Sequence, residues 1–186
     1  MVFTGTYERS PRRDLDLIGL GQLLDVRVVT AIRTELGESY SPSVAATGRS
    51  LPVPVYQIVA RFTSAPENAD RLAAIVREQA EFLRLAGPIP EELAVLRTQG
   101  SFFFSLQLQN NEFLADQLAS RHVTNRDLLG MLDLPRLVQE STAASLRESA
   151  QIFLNPANQV RIVQVPADFG MSVVQEDRRH STPQAF

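Results

Sequence analysis

The chain has 186 residues and contains no cysteine. It therefore cannot form a disulfide framework, a thiol nucleophile or a cysteine-ligated zinc or iron–sulfur site. Lysine is absent as well, since all 18 basic residues are arginine, which excludes a lysine base or Schiff base. Only 2 histidines occur, His122 and His180, and neither belongs to an H-E-x-x-H or H-x-x-E-H motif. The sequence thus carries no recognisable metal site of its own.

Charge and hydropathy argue against further functional classes, namely nucleic-acid-binding and membrane proteins. A net charge of −3 provides no electrostatic case for binding nucleic acid or an acidic membrane surface. No apolar run approaches the roughly 18 residues that a membrane span needs. The N-terminus has no signal-peptide layout, because a short apolar piece precedes the arginines instead of following them. A composition of 44% hydrophobic and 21% charged residues is ordinary for one soluble globular domain.

Hydrophobic periodicity predicts an α+β fold. Strands are predicted at Val2–Tyr7, Tyr40–Thr47, Val55–Thr63 and Gln159–Val165, and helices at 13–36, 64–85, 90–109, 112–121, 127–132 and 141–154. Strands and helices are segregated along the chain, which favours a mostly antiparallel sheet with helices on one face. The long helix should pack on that face, and the other face should be covered only thinly.

Local signals refine these boundaries. Ser64 with Glu67 predicts a capping box, and Asn110 predicts a joint between two helices. Gly19 and Gly21 lie inside the longest predicted helix, where they are expected to permit close packing. Gly37 lies where a helix C-terminal cap is expected. Residues 1–166 should form a single domain, and residues 167–186 a loosely held tail.

One segment suggests chemistry. Arg33 lies in the last turn of the predicted helix and Tyr40 at the start of the next strand, seven residues later, across a glycine turn. A fixed cation and an O–H donor aimed at one point would suit a peptide carbonyl whose oxygen gains negative charge. The residues alone leave a structural alternative open, in which Arg33 neutralises the helix C-terminus and Tyr40 packs with its hydroxyl outward.

The segment RTELGESYSPSV at 33–44 resembles a signature in the C-terminal half of pitrilysin/insulinase-type zinc metallopeptidases, the inverted zincins. The flanking sequence agrees in order along the chain. The similar pieces are VFTG at 2–5, FTSAPEN at 62–68, GPIPEEL at 87–93, LQNNEFL at 108–114 and FLNPANQV at 153–160. In the GPIPEEL segment, isoleucine and proline replace the usual cap and carboxylate. The resemblance covers about residues 2–166.

The resemblance implies a fold and a role. In that family two halves face each other across a chamber, and the first half carries H-x-x-E-H with a distant glutamate, which hold zinc and activate water. The second half has no metal ligands and contributes an arginine and a tyrosine that bind the substrate backbone. By resemblance Arg33 and Tyr40 are that pair, with the family spacing intact. The chain would then be a domain incomplete at its start, part of a longer protease and inactive alone.

The same resemblance implies partners. These are the zinc-bearing N-terminal half, a peptide substrate and, for the fragment by itself, a second copy of the chain. No cofactor is expected in this chain. Bacterial members of the family are often periplasmic, which favours that location. Two alternatives stay open: a non-catalytic structural or partner subunit of the same fold, and a free-standing peptide-binding module.

Overall fold

The computed structural model describes residues 1–36 and 41–164. The strands are β1 (Val2–Thr6), β2 (Ser43–Arg49), β3 (Val55–Arg61) and β4 (Gln159–Val160). The helices are α1 (Pro11–Leu36), α2 (Ala69–Leu85), α3 (Pro90–Gln107), α4 (Asn111–Val123), α5 (Leu134–Gln139) and α6 (Ala143–Phe153). Single 3₁₀ turns lie at Pro66–Asn68, Leu129–Met131 and Pro156–Asn158.

The four described strands form one antiparallel sheet in the order β2-β3-β1-β4. β2 and β3 form a hairpin, with Val44 opposite Ala60 and Arg49 opposite Val55. β1 lies in the interior of the sheet, between β3 and β4, and pairs with β3 along the whole length of β1. The α+β prediction is therefore confirmed.

The core lies between this sheet and the helices. Alternation along β3 turns Tyr56, Ile58 and Ala60 inward, where each is at most 2% exposed. The opposite face of the same strand presents Gln57 and Arg61 to solvent. Buried residues of α1, α2 and α6 belong to the same cluster as the inward side chains of β3. Tyr7, Tyr56 and Phe153 meet in this core with edge-to-face ring contacts.

Two predicted strands differ from the structure. β2 begins at Ser43 and not at Tyr40; Tyr40 itself lies outside the described residues, while 41 and 42 are not in a strand. β4 ends at Val160, although the apolar alternation continues to Val165, itself not described. The physical reason is pairing: β1 offers β4 only Val2 and Phe3, and a strand needs a neighbour.

Several helix details also differ. Ser64 is not a cap, because its hydroxyl bonds to the carbonyl of Ala65 and α2 starts after a 3₁₀ turn. The helix predicted at 127–132 is only one 3₁₀ turn, and α5, which follows it, was missed because it spans 6 residues around a proline. Helical periodicity predicts Phe82 on the inner face of α2, but it is 37% exposed, and the guanidinium of Arg27 lies over its ring, 3.8 Å from the centroid. Gly37 and the tail at 167–186 lie outside the described residues.

Candidate functional site

Arg33 lies in the last turn of α1, as the sequence predicted, and its side chain is exposed. Within residues 1–36 and 41–164 it forms no hydrogen bond or ion pair. Its neighbours secure the helix end: the Thr34 hydroxyl donates to the carbonyl of Thr30, and Glu35 pairs with Arg71 of α2 at 3.2 Å. The guanidinium of Arg33 is therefore a free cation, within the described chain, on an anchored helix end.

The strand that follows, β2, lies directly along α1. A Cβ atom added at Gly21 would lie 2.5 Å from the Cβ of Ala46, so the two backbones approach as closely as a glycine allows. Further along, a Cβ atom at Gly48 would lie 3.3 Å from a methyl group of Leu17. The prediction that Gly21 permits close packing is confirmed by this contact.

A hydrogen bond also joins β2 to α1. The backbone N–H of Val44 donates to Oδ1 of Asp25 at 2.6 Å. Val44 is the second residue of β2, so this carboxylate anchors the strand near its N-terminal end. The sequence analysis did not identify Asp25, because an aspartate within a helix is ordinarily solvated. No nearby residue indicates that it bonds to a strand 19 positions later. Only the packing of β2 on α1 reveals its role.

These contacts define a register. Proceeding along β2, positions 44, 46 and 48 meet positions 25, 21 and 17 of α1, so helix and strand run in opposite directions. Four helical residues rise about 6 Å and two strand residues about 6.8 Å, so the two repeats nearly match. The matching pitch lets one strand follow one helix without losing contact. Tyr40, the second predicted site residue, lies outside the described residues and is not located by this register alone.

The described residues do not fit a catalytic metal. They contain no group of three or more histidine, cysteine, aspartate or glutamate side chains able to hold an ion. His122, the histidine that is described, is an exposed residue in the last turn of α4. Across the same residues, no helix is long and apolar enough to cross a membrane.

Solved structures with the same fold show what the chain is similar to. The inactive peptidase domain of a putative zinc protease from Bordetella parapertussis superposes with a TM-score of 0.71 at 14% identity, covering 91% of this chain and 94% of that one. A peptidase M16 inactive domain from Pseudomonas fluorescens gives 0.66 at 18% identity, covering 83% and 37%. The periplasmic protease PqqL from Escherichia coli gives 0.67 at 16% identity, covering 82% and 17%.

No protein-family model matches the chain, and no curated protein matches it. The chain spans only 17% of the E. coli protease and 37% of the P. fluorescens chain, but nearly the whole B. parapertussis domain at 94%. Its fold thus matches one part of the longer chains and nearly all of the B. parapertussis domain. The element order, the antiparallel sheet and these superpositions agree: the chain has the fold of the M16, or pitrilysin-type, peptidase domains.

Proposed function

We propose that the chain is the metal-free, substrate-clamping domain of a zinc metalloendopeptidase, inactive alone. Arg33 and Tyr40 bind the backbone of the peptide near the bond that is cleaved. The hydrolytic zinc belongs to a second, zinc-bearing half of the enzyme, because the described residues of this chain supply no ligand set for it. The superposition on inactive peptidase domains supports this division of roles.

The observation that carries the proposal is the exposed guanidinium of Arg33 at an anchored helix end, on a fold shared with inactive peptidase domains. Arg33 lies in the last turn of α1, and within residues 1–36 and 41–164 it forms no hydrogen bond or ion pair. Glu35 of the same turn pairs with Arg71 of α2, which holds this helix end in place. Tyr40, which lies outside the described residues, is proposed for the same site on its seven-residue spacing from Arg33 in the sequence.

Such a pair stabilises a developing oxyanion. The guanidinium provides a fixed positive charge and two or more N–H donors, and the phenol adds one O–H donor. A peptide carbonyl oxygen becomes negative in the tetrahedral transition state, so these donors bind that state more strongly than the ground state. Arg33 is available for this task, since it forms no bond within the described chain.

Kinetics of the reconstituted enzyme test the proposal. The chain is combined with the zinc-bearing half, identified in its genome by an H-x-x-E-H motif in the neighbouring or continuous reading frame. Tyr40→Phe removes only the hydroxyl, and Arg33→Lys removes the planar fork. Each is expected to reduce kcat about 100- to 1,000-fold, because one oxyanion donor is lost. The matched control is Arg77→Lys, an exposed arginine on α2, which should leave kcat unchanged.

A second function, that of a structural partner subunit, is favoured by the similarity of the fold to two inactive peptidase domains. The same experiment separates the two. If the chain only supports its partner, peptidase activity requires the chain but is unaffected by Tyr40→Phe and Arg33→Lys. If thermal melting shows that both variants are folded, that outcome would overturn the clamping proposal.

A further inference from the structure

A basic groove lies at the opposite end of α1 from Arg33. It has a volume of about 620 Å³ and lies between the start of α1, the end of β2 and the C-terminal half of α4. Arg12 and Arg33 are separated by 21 positions of α1, so these two ends of the helix lie about 30 Å apart. The groove is therefore a separate site from the one proposed above, and its function does not depend on that proposal.

The groove combines positive charge with apolar surface. Arg9, Arg49, Arg121 and Arg126 line it, and Asp14 is the one carboxylate among its lining residues. Its apolar lining comes from Leu15, Ile18, Leu51, Phe104, Val123 and Leu134. Ile18 and Val123 are 42% and 66% exposed, so part of this apolar surface is open to solvent. Such a lining suits a ligand that is apolar in one part and anionic in another.

Asp14 does not neutralise these arginines. Its Oδ2 accepts from Arg9 at 2.7 Å and lies 3.1 Å from Arg126, so two guanidinium groups share one negative charge. The remaining oxygen accepts from the hydroxyl of Tyr7 at 2.8 Å and from Nε of Arg9 at 3.0 Å. Of the nitrogen atoms of Arg126, Nη1 contacts this carboxylate. A guanidinium has five N–H donors, so Arg126 retains donors that can bind a ligand in the groove.

Arg121 is a second cation of the groove, and it forms no ion pair within the described residues. Its residue is only 5% exposed, and its Nη1 donates to the main-chain carbonyl of Asp127, not to a carboxylate. Its Nε is buried without a hydrogen-bond partner in the described chain. The charges of Asp127 and Asp14 favour this guanidinium but do not cancel the effect of its burial. A bound anion would therefore stabilise Arg121 further.

The backbone holds these two arginines together. After α4 the N–H of Arg126 donates to the carbonyl of Arg121 at 2.8 Å, and the N–H of Asn125 donates to that of His122 at 3.1 Å. Asn125 has a φ of 51°, so this is a Schellman ending with asparagine in the left-handed position. The turn directs Arg126 back beside Arg121, and both line the groove. The pair is thus part of a rigid helix ending and not of an irregular loop.

We infer that this groove binds the free C-terminus of a peptide that ends in an apolar residue, with the carboxylate on Arg126 and Arg121 and the side chain on the exposed apolar wall. Arginine binds a carboxylate through paired N–H groups, which gives direction as well as charge. The apolar wall beside the arginines gives preference for a hydrophobic terminal residue over a bare anion. Desolvation by burial, followed by the charge of Arg126, lowers the pKa of Arg121 although Asp127 and Asp14 oppose the shift, and the negative charge of a bound carboxylate would raise this pKa again.

A peptide titration of the full chain tests the inference. The probe is the tripeptide acetyl-Ala-Ala-Phe with a free carboxylate, and its control is the same peptide with an amidated C-terminus. Amide chemical shifts followed by NMR should move at residues 120–126 and at the end of β2 with the acid peptide. The amidated peptide should bind about tenfold or more weakly, since the charge-assisted hydrogen bonds are lost. Equal affinity for both peptides, or shifts confined to other surfaces, would overturn the inference.

Two variants with one matched control assign the residues. Arg126→Gln should weaken binding of the acid peptide about tenfold while Arg9 and Tyr7 still hold Asp14. Arg121→Met should also weaken binding but should change Tm little, because the loss of the hydrogen bond to the carbonyl of Asp127 is offset by the removal of a desolvated charge. Arg77→Gln, on the exposed face of α2, should bind as the wild type does. Wild-type affinity in Arg126→Gln, or a fall in Tm of Arg121→Met without loss of affinity, would return both arginines to a structural role.

Discussion

The hydroxyl of Ser149 donates a hydrogen bond of 2.8 Å to the carboxylate of Asp16, and this bond joins α6 to α1 inside the core. Asp16 is 2% exposed and its second oxygen has no partner within the described chain. Burial raises the pKa of Asp16 above its ordinary value of 3.8; the Ser149 bond and Arg12 oppose this shift, and Glu148 adds to it. Asp16 is therefore a buried acid that the fold favours in its neutral form.

This burial predicts how stability changes with pH. Because the folded-state pKa is above the unfolded value, the folded protein holds this proton more tightly. The stability that Asp16 contributes is fully present below the unfolded pKa and is lost as pH rises through the folded pKa. Asp16→Asn keeps an acceptor for Ser149 and has no charge. The difference in free energy of unfolding between Asp16→Asn and wild type should therefore increase with pH, in favour of the variant, and then level off.

Urea unfolding at several pH values checks this prediction. The control is Asp116→Asn, an exposed aspartate on α4 that should follow the wild-type profile. A difference between Asp16→Asn and wild type that stays constant from acid to neutral pH would show that Asp16 does not titrate in this way.

The contact between Gly21 and Ala46 predicts a second result. A Cβ atom at Gly21 would lie 2.5 Å from the Cβ of Ala46 and 3.2 Å from its backbone nitrogen, so β2 would have to move. Gly21→Ala should therefore destabilise the protein by about 1–3 kcal/mol, although alanine favours a helix by about 1 kcal/mol. Thermal and urea unfolding measure the change.

Gly19 in the same helix is the matched control. A Cβ atom there would meet a Leu96 methyl at 3.3 Å, and a leucine side chain can shift. Gly19→Ala should therefore be neutral or stabilising. Equal destabilisation by the two substitutions would contradict the specific approach of β2 to α1. Pairing Gly21→Ala with Ala46→Gly should restore part of the lost stability.

The ending of α4 supplies a third prediction. Asn125 adopts a φ of 51°, which glycine adopts without strain and alanine does not. Asn125→Ala should lower stability by about 1 kcal/mol, whereas Asn125→Gly should leave it nearly unchanged. Unfolding curves of both variants give the comparison. If alanine and glycine had equal effects at this position, the left-handed helix ending would not describe the protein in solution.

Much of the fold could be predicted from the sequence, because its signals are local. The alternation at Val55–Arg61 indicated a strand with one buried face, and the structure confirms it. Asn110 was predicted as a helix joint, and its side chain accepts from the N–H groups of Glu112 and Phe113 at the start of α4. Thr142 caps α6, where its hydroxyl accepts from the N–H of Ser145. Each of these features depends on residues within a few positions of one another.

Other features depend on which elements meet in space. The length of β4 is limited by β1, and the end of α2 presents Phe82 to Arg27 instead of the core. Asp25 accepts a hydrogen bond from Val44, 19 positions later in the sequence, and hydrophobic periodicity does not predict such a contact.

For the candidate sites, the sequence by itself determined that Arg33 ends a long helix and that no cysteine or lysine chemistry is available. The tertiary structure decided that β2 lies antiparallel along α1 in a register of two residues to four, since this depends on the glycine contact of Gly21 with Ala46. It also decided that four arginines share one groove: Arg9 before α1, Arg49 of β2, Arg121 of α4 and Arg126 after α4. Packing brings together residues more than 100 positions apart, because burial of apolar surface, and not sequence distance, selects which helices and strands become neighbours.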